Sequence, residues 1–138
     1  MWVLGTLVMT SCIVRDNVAD SPTDMYQNQG GAIAIHKAPC FTCQQGSTTI
    51  TDCTFTGNTV SNPYFDWARG GAIYSEKPLT IVSSIMSNNV VFQAGSASGI
   101  SGNHYLGVGG AIYLAGTDLT MTSSTISNNG GGTYEFDG

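Results

Sequence analysis

The sequence predicts an all-β chain, a right-handed parallel β-helix (β-solenoid) of about four coils, and three observations predict it. Gly-Gly-Ala-Ile occurs three times, as Gly30-Gly31-Ala32-Ile33, Gly70-Gly71-Ala72-Ile73 and Gly109-Gly110-Ala111-Ile112, with starts 40 and 39 residues apart. A second signature precedes the first copy and also follows every copy. It runs through Leu7, Met9, Cys12, Val14 and Asn17; through Thr48, Ile50, Cys53, Phe55 and Asn58; through Leu79, Ile81, Ser84, Met86 and Asn89; and through Leu119, Met121, Ser124, Ile126 and Asn129. Within each line apolar residues alternate with mostly Thr or Ser at period two, pause at a turn and resume, which is the pattern of two short strands. Strands this short cannot bury an apolar face alone, so equivalent strands must stack coil on coil around a shared core.

The Gly-Gly-Ala-Ile segment supplies a third strand to each coil, and the usual hand of parallel crossovers selects the right-handed form. Coil repeats start near residues 7, 30, 70 and 109, within one segment spanning 1–138. The pairs Gly30-Gly31, Gly70-Gly71 and Gly109-Gly110 suit a corner, because glycine accepts positive φ and lets neighbouring backbones approach. Asn17, Asn58, Asn89 and Asn129 suit the opposite corner, since Asn tolerates the left-handed conformation and bonds its own backbone. In register they would form a ladder that satisfies turn groups between coils.

Residues 18–29, 59–69 and 90–108 read as loops that leave after the Asn corner and return at Gly-Gly, so all three emerge on one edge. They carry the aromatics Tyr26, Tyr64, Phe65, Trp67, Phe92 and Tyr105, a candidate interaction surface of the kind solenoids build from per-repeat insertions. The competing reading has these rings packing on each other to cover the sheet. Isoleucines 33, 73 and 112 should point inward, which places Ala34, Tyr74 and Tyr113 in one outward column. Stacked tyrosines there serve either as a platform for a sugar ring or partner protein, or as cross-strand pairs that hold the sheet.

Gly-Gly-Ala-Ile repeats paired with Phe-x-x-Asn, intact here as Phe55-Thr-Gly-Asn58, resemble the polymorphic outer membrane protein repeats of bacterial autotransporter adhesins over roughly residues 7–129. The resemblance implies a parallel β-helix in an extracellular or cell-surface setting. The chain departs from the pattern at Val14, Met86 and Ile126, where the aromatic is replaced, and no membrane-barrel segment follows.

Composition narrows the function classes. Only 9% of the 138 residues are charged, against 41% hydrophobic, and the net charge is −5. Four Lys and Arg against nine Asp and Glu argue against nucleic acid, whose binders carry basic stripes, and against anionic membranes. The apolar run at 1–9 is too short to span a bilayer. It also lacks the basic region of a signal peptide, while Leu7, Met9, Cys12, Val14 and Asn17 fill the repeat columns. No transmembrane segment is expected. The first coil starts without Gly-Gly-Ala-Ile and the last has no polar cap, so the expectation is a segment of a longer array, or a unit whose ends meet other chains.

Cys12 and Cys53 share a column, about 4.8 Å apart at the strand spacing. That distance admits a disulfide, although parallel Cβ vectors would strain it, and buried thiols are the alternative. Cys40 and Cys43 form a CxxC with His36 nearby. Without a second ligand pair this reads as a local loop disulfide in an oxidising exterior and not as a metal site.

Parallel β-helices also carry pectin lyase-like enzymes, whose chemistry needs clustered acids or a basic residue in a groove. Here Asp52 and Asp118 lie in different columns, and Asp66 with Arg69 is the one acid–base pair within a loop. No catalytic residue and no cofactor are assigned. The outward positions Val8 and Thr10, Thr49 and Thr51, Thr80 and Val82, and Thr120 and Thr122 form two columns. Their spacings are about 6.7 Å along the strand and about 4.8 Å between coils. Such arrays resemble the flat faces of β-solenoid ice-binding proteins, although Thr is also simply a favoured outward strand residue. The expected role is a non-catalytic structural, adhesive or assembly element. Its partners would be other protein chains or further coils of the same parent, with glycans as the alternative ligand.

Overall fold

The structure, a computed structural model, describes residues 1–20, 28–38, 46–62, 68–94 and 107–134. All of its regular structure is β, wound in four coils. Coil one holds β1 (Trp2–Val3), β2 (Leu7–Thr10), β3 (Ile13–Arg15) and β4 (Val18–Asp20). Coil two holds β5 (Asn28–Gln29), β6 (Ile33–Ile35), β7 (Thr48–Thr51), β8 (Thr54–Thr56) and β9 (Thr59–Asn62). Coil three holds β10 (Ala68–Arg69), β11 (Ile73–Ser75), β12 (Leu79–Val82), β13 (Ile85–Ser87) and β14 (Val90–Ala94), and coil four β15 (Ile112–Leu114), β16 (Leu119–Thr122), β17 (Thr125–Ser127) and β18 (Gly130–Tyr134).

Each strand pairs in parallel with its equivalent in the next coil. The result is four four-stranded sheets, ordered β1-β6-β11-β15, β16-β12-β7-β2, β17-β13-β8-β3 and β18-β14-β9-β4, plus the short pair β10-β5. The register aligns the repeat columns: Leu79 pairs with both Thr48 and Leu119, and Met86 with both Phe55 and Ile126. This is the parallel β-helix that the repeats predict.

Coils one and four carry one strand more than the three expected, and coils two and three carry two more, because β5 and β10 also pair at the ends of the expected loops. The segments just after the Asn column are not loop: β4, β9, β14 and β18 form a fourth sheet. The reason is a second inward position two residues beyond each Asn. Val60 and Val91 there are fully buried, with Ala19 packed against them. The sequence carried this signal, because Thr59-Val60 and Val90-Val91 are β-favouring pairs.

The principal core stacks Ile33, Ile35, Ile50, Phe55, Ile73, Leu79, Ile81 and Met86 along the axis. Corners are made by single residues in the left-handed region. Ser11, Asp52, Ser83 and Ser123 turn the chain between the second and third sheets, and Asp16, Gly57, Asn88 and Asn128 between the third and fourth. The Asn column itself is therefore not the left-handed position. That position lies one residue earlier, which frees Asn17, Asn58, Asn89 and Asn129 to turn their amides inward.

The two glycines of each pair answer different demands. Gly70 has φ +70, whereas a Cβ on Gly71 would collide with the carbonyl oxygen of Gly110. The first sets the turn and the second sets how closely coils approach.

Candidate functional site

Two ladders run through the corners and join the coils. In the first, the N–H of Cys12 donates to Cys53 Sγ (3.4 Å), that of Cys53 to Ser84 Oγ (3.0 Å) and that of Ser84 to Ser124 Oγ (3.1 Å). Each of these side chains in turn donates to the carbonyl two residues back, as Cys53 Sγ does to Thr51 O and Ser84 Oγ to Val82 O. A thiol and a hydroxyl perform the same task here, which explains how Cys and Ser share one column. Cys12 and Cys53 are free thiols. Burial, with the Cys12 thiol alongside, pushes the Cys53 thiol above its ordinary 9.0 although the Cys12 N–H opposes it, so it is a poor nucleophile.

The second ladder is the Asn column. Asn17 N–H and Nδ2 donate to Asn58 Oδ1, those of Asn58 to Asn89 Oδ1, and those of Asn89 to Asn129 Oδ1. The remaining amide hydrogens reach back to the preceding coil, Asn58 to Val14 O and Asn89 to Phe55 O. Asn58 and Asn89 are fully buried, with every polar hydrogen used.

On the first sheet the column through Ala34, Tyr74 and Tyr113 is in register, yet Tyr74 is only 3% exposed. It is not an open platform. Tyr74 and Tyr113 stack with centroids 5.7 Å apart and planes 6° from parallel, and the Arg69 guanidinium lies over Tyr113 at 5.1 Å. Ala34 leaves a gap that the His36 ring fills, 5.2 Å from Tyr74 and 4.7 Å from the exposed Trp2. The result is a continuous run from Trp2 through His36 and Tyr74 to Tyr113.

Glu76 anchors that run. It accepts from the Tyr74 hydroxyl (2.9 Å) and the Lys37 N–H (2.8 Å), and faces His36 Nδ1 at 3.3 Å. Burial works to raise the Glu76 carboxyl, but these three neighbours outweigh it and hold it below its ordinary 4.5. Burial, and then the Glu76 carboxylate, push the Tyr74 hydroxyl up to about 12. Neither group is poised to exchange a proton near neutrality.

Sequence reasoning missed Glu76, and it missed Lys77. Lys77 is fully buried and its Nζ donates to the carbonyl oxygens of Leu4 and Gly5, tying coil three to coil one. A lysine next to the proline before a strand carries no sequence signal for this.

The outward Thr columns are in register: Val8, Thr49, Thr80 and Thr120 in one, Thr10, Thr51, Val82 and Thr122 in the other. Phe92 is half-buried and partnered. Tyr26, Tyr64, Phe65, Trp67, Tyr105, Asp66, Cys40 and Cys43 lie outside the described residues. Among the described residues no group of three His, Cys, Asp or Glu side chains converges on a metal position, and no helix is long and apolar enough to cross a membrane.

The end of coil four holds a depression of about 370 Å³, whose lining includes Leu114, Leu119, Ile126 and Asn129. Compared with known proteins, the chain matches no family model, no curated protein and no solved structure.

Proposed function

We propose that this chain is a non-catalytic β-solenoid segment of an extracellular or cell-surface protein, acting as a structural, adhesive or assembly element. The observation that carries the reading is how the polar side chains of the interior are used. The Cys/Ser and Asn columns are consumed in hydrogen bonds between coils, and the half-buried carboxylate of Glu76 is engaged with Tyr74 and His36. Groups committed this way stiffen a rod. The likeness of Gly-Gly-Ala-Ile and Phe55-Thr-Gly-Asn58 to adhesin repeats supports the exterior setting.

An antibody against the chain should label intact, unpermeabilised cells of the source organism; labelling only after permeabilisation would refute the exterior assignment. Release of reducing ends or unsaturated sugars from a panel of polysaccharides by the purified chain would refute the non-catalytic one.

A second reading has one observation in its favour. The two outward columns hold six Thr and two Val with no charge, in register across all four coils, an array suited to ordered water. Thermal hysteresis that disappears in Thr49→Lys would support it, and freezing behaviour equal to that of an inert protein would dismiss it.

A further inference from the structure

The ladders have a direction, and that direction makes the two ends of the solenoid different and complementary. In both, the N–H of one coil donates to a side chain of the next. Among the described residues, the Ser124 and Asn129 N–H groups of coil four have no acceptor, while Cys12 Sγ and Asn17 Oδ1 of coil one receive no donor. Asn129 shows the consequence. The Nδ2 groups of Asn58 and Asn89 donate to the next Asn, whereas that of Asn129 falls back on Ser127 O of its own coil (2.9 Å).

We propose that copies of this chain stack head to tail, the last coil of one copy on the first coil of the next, continuing both ladders. The hydrogen bonds of the joint follow from those inside the molecule. Ser124 N–H would meet Cys12 Sγ and Asn129 N–H would meet Asn17 Oδ1. In return Ile13 N–H would meet Ser124 O and Val18 N–H Asn129 O, as Thr125 meets Ser84 O and Gly130 meets Asn89 O.

The apolar columns match as well. Through the observed register Leu119 continues into Leu7, Met121 into Met9 and Ile126 into Val14. Leu119 is 36% exposed and Ile126 46% at the open face, so the joint removes apolar surface from water. Trp2, 73% exposed, would extend the ring column beside Tyr113. The Gly-Gly corner has no counterpart in coil one, so the joint is made by four strands and the other two corners.

This deepens the assembly reading and rests on it for its meaning in the cell. The test is sedimentation velocity of the purified chain from micromolar to millimolar concentration. Stacking gives a concentration-dependent series of oligomers. Ile126→Lys blocks the last face and Val14→Lys the first, so each alone should remain monomeric, because an unpaired buried ammonium is strongly unfavourable. Mixed together they retain one good joint and should form dimers and nothing larger. Circular dichroism verifies that each is folded, and Met9→Lys is a second first-face variant if Val14→Lys is not. Val8→Lys, on the outward face, should leave the series intact. A wild-type chain that stays monomeric, or an association abolished by Val8→Lys and untouched by Ile126→Lys, overturns the stacking. Surface labelling of cells is independent of either result, so the exterior reading stands or falls separately.

Discussion

Replacing Asn89 by Ala should cost far more than the same change at Asn17, although the two residues occupy one column. Asn89 Oδ1 holds the buried N–H of Asn58 and its Nδ2 holds the buried carbonyl of Phe55. Truncation strands the N–H, a buried orphan that costs about 1–3 kcal/mol, and takes from the carbonyl the second of its two donors, about 1 kcal/mol more, since its rung of the parallel ladder remains. One Asn58 amide hydrogen also loses its acceptor, but it can fall back on its own coil as that of Asn129 does. The expected loss is about 3 kcal/mol, a large share of the 5–15 kcal/mol that ordinarily separates folded from unfolded. No N–H depends on Asn17. Its Nδ2 bonds to Arg15 O and Asn58 Oδ1 lie at the exposed end, so Asn17→Ala should cost about 0.5–1 kcal/mol. Urea unfolding followed by circular dichroism measures both, provided the slopes agree. Equal losses, or a loss below about 1 kcal/mol for Asn89→Ala, would refute the directional ladder.

Thr48 is fully buried and its Oγ1 has no hydrogen-bond partner among the described residues; Thr48→Val keeps the shape, removes the orphan, and should raise stability by about 1 kcal/mol in the same urea assay. Gly71→Ala drives a methyl into the Gly110 carbonyl and should cost about 3 kcal/mol, while Gly5→Ala, where nothing lies within 4 Å, should stay within about 0.5 kcal/mol. Glu76, held below 4.5, contributes stability that is present above that value and lost as pH falls through its lower folded value, so Glu76→Gln should flatten the acid limb of thermal melts taken against pH. Tyr74, raised from 10.0 to about 12, contributes stability that is complete below pH 10 and lost as pH rises towards 12; Tyr74→Phe should flatten the alkaline limb, and unchanged slopes in either variant would show that the group is not perturbed.

The columns were legible because a solenoid repeats its environment. When Met9, Ile50, Ile81 and Met121 recur at one position, their common inward direction and their parallel register follow from a single line of alignment. Several features that escaped the sequence depend on one coil alone. His36 fills the space above Ala34 only because that repeat lacks the tyrosine of the other two. Lys77 crosses to Leu4 and Gly5 of coil one, past coil two. The left-handed corners were misplaced by one residue, since Asn suits both the turn and the ladder. Hydrogen bonding settled the matter: the turn accepts Asp16, Gly57, Asn88 or Asn128, but only an amide can donate to one coil and accept from another.

The outward surface, free of such duties, differs between coils in a way that the stacked arrangement turns into a pattern. Val8, Ile13 and Val18 of coil one are 68%, 74% and 65% exposed, and their register partners in coil two are Thr49, Thr54 and Thr59. Head-to-tail stacking sets this apolar rim beside Thr120, Thr125 and Gly130 of the preceding copy. A rod assembled in this way repeats the rim of coil one once per copy, every four coils, or about 19 Å at the ordinary strand separation. Coil three breaks the Thr-rich columns only at Val82 and Ile85, so the rim of coil one is the stronger mark that a lateral partner could read along the rod. Fibre diffraction from concentrated chain should therefore show an axial repeat near 19 Å in addition to the coil spacing of about 4.8 Å. A pattern containing only the coil spacing would mean that the copies do not stack in the register the ladders dictate.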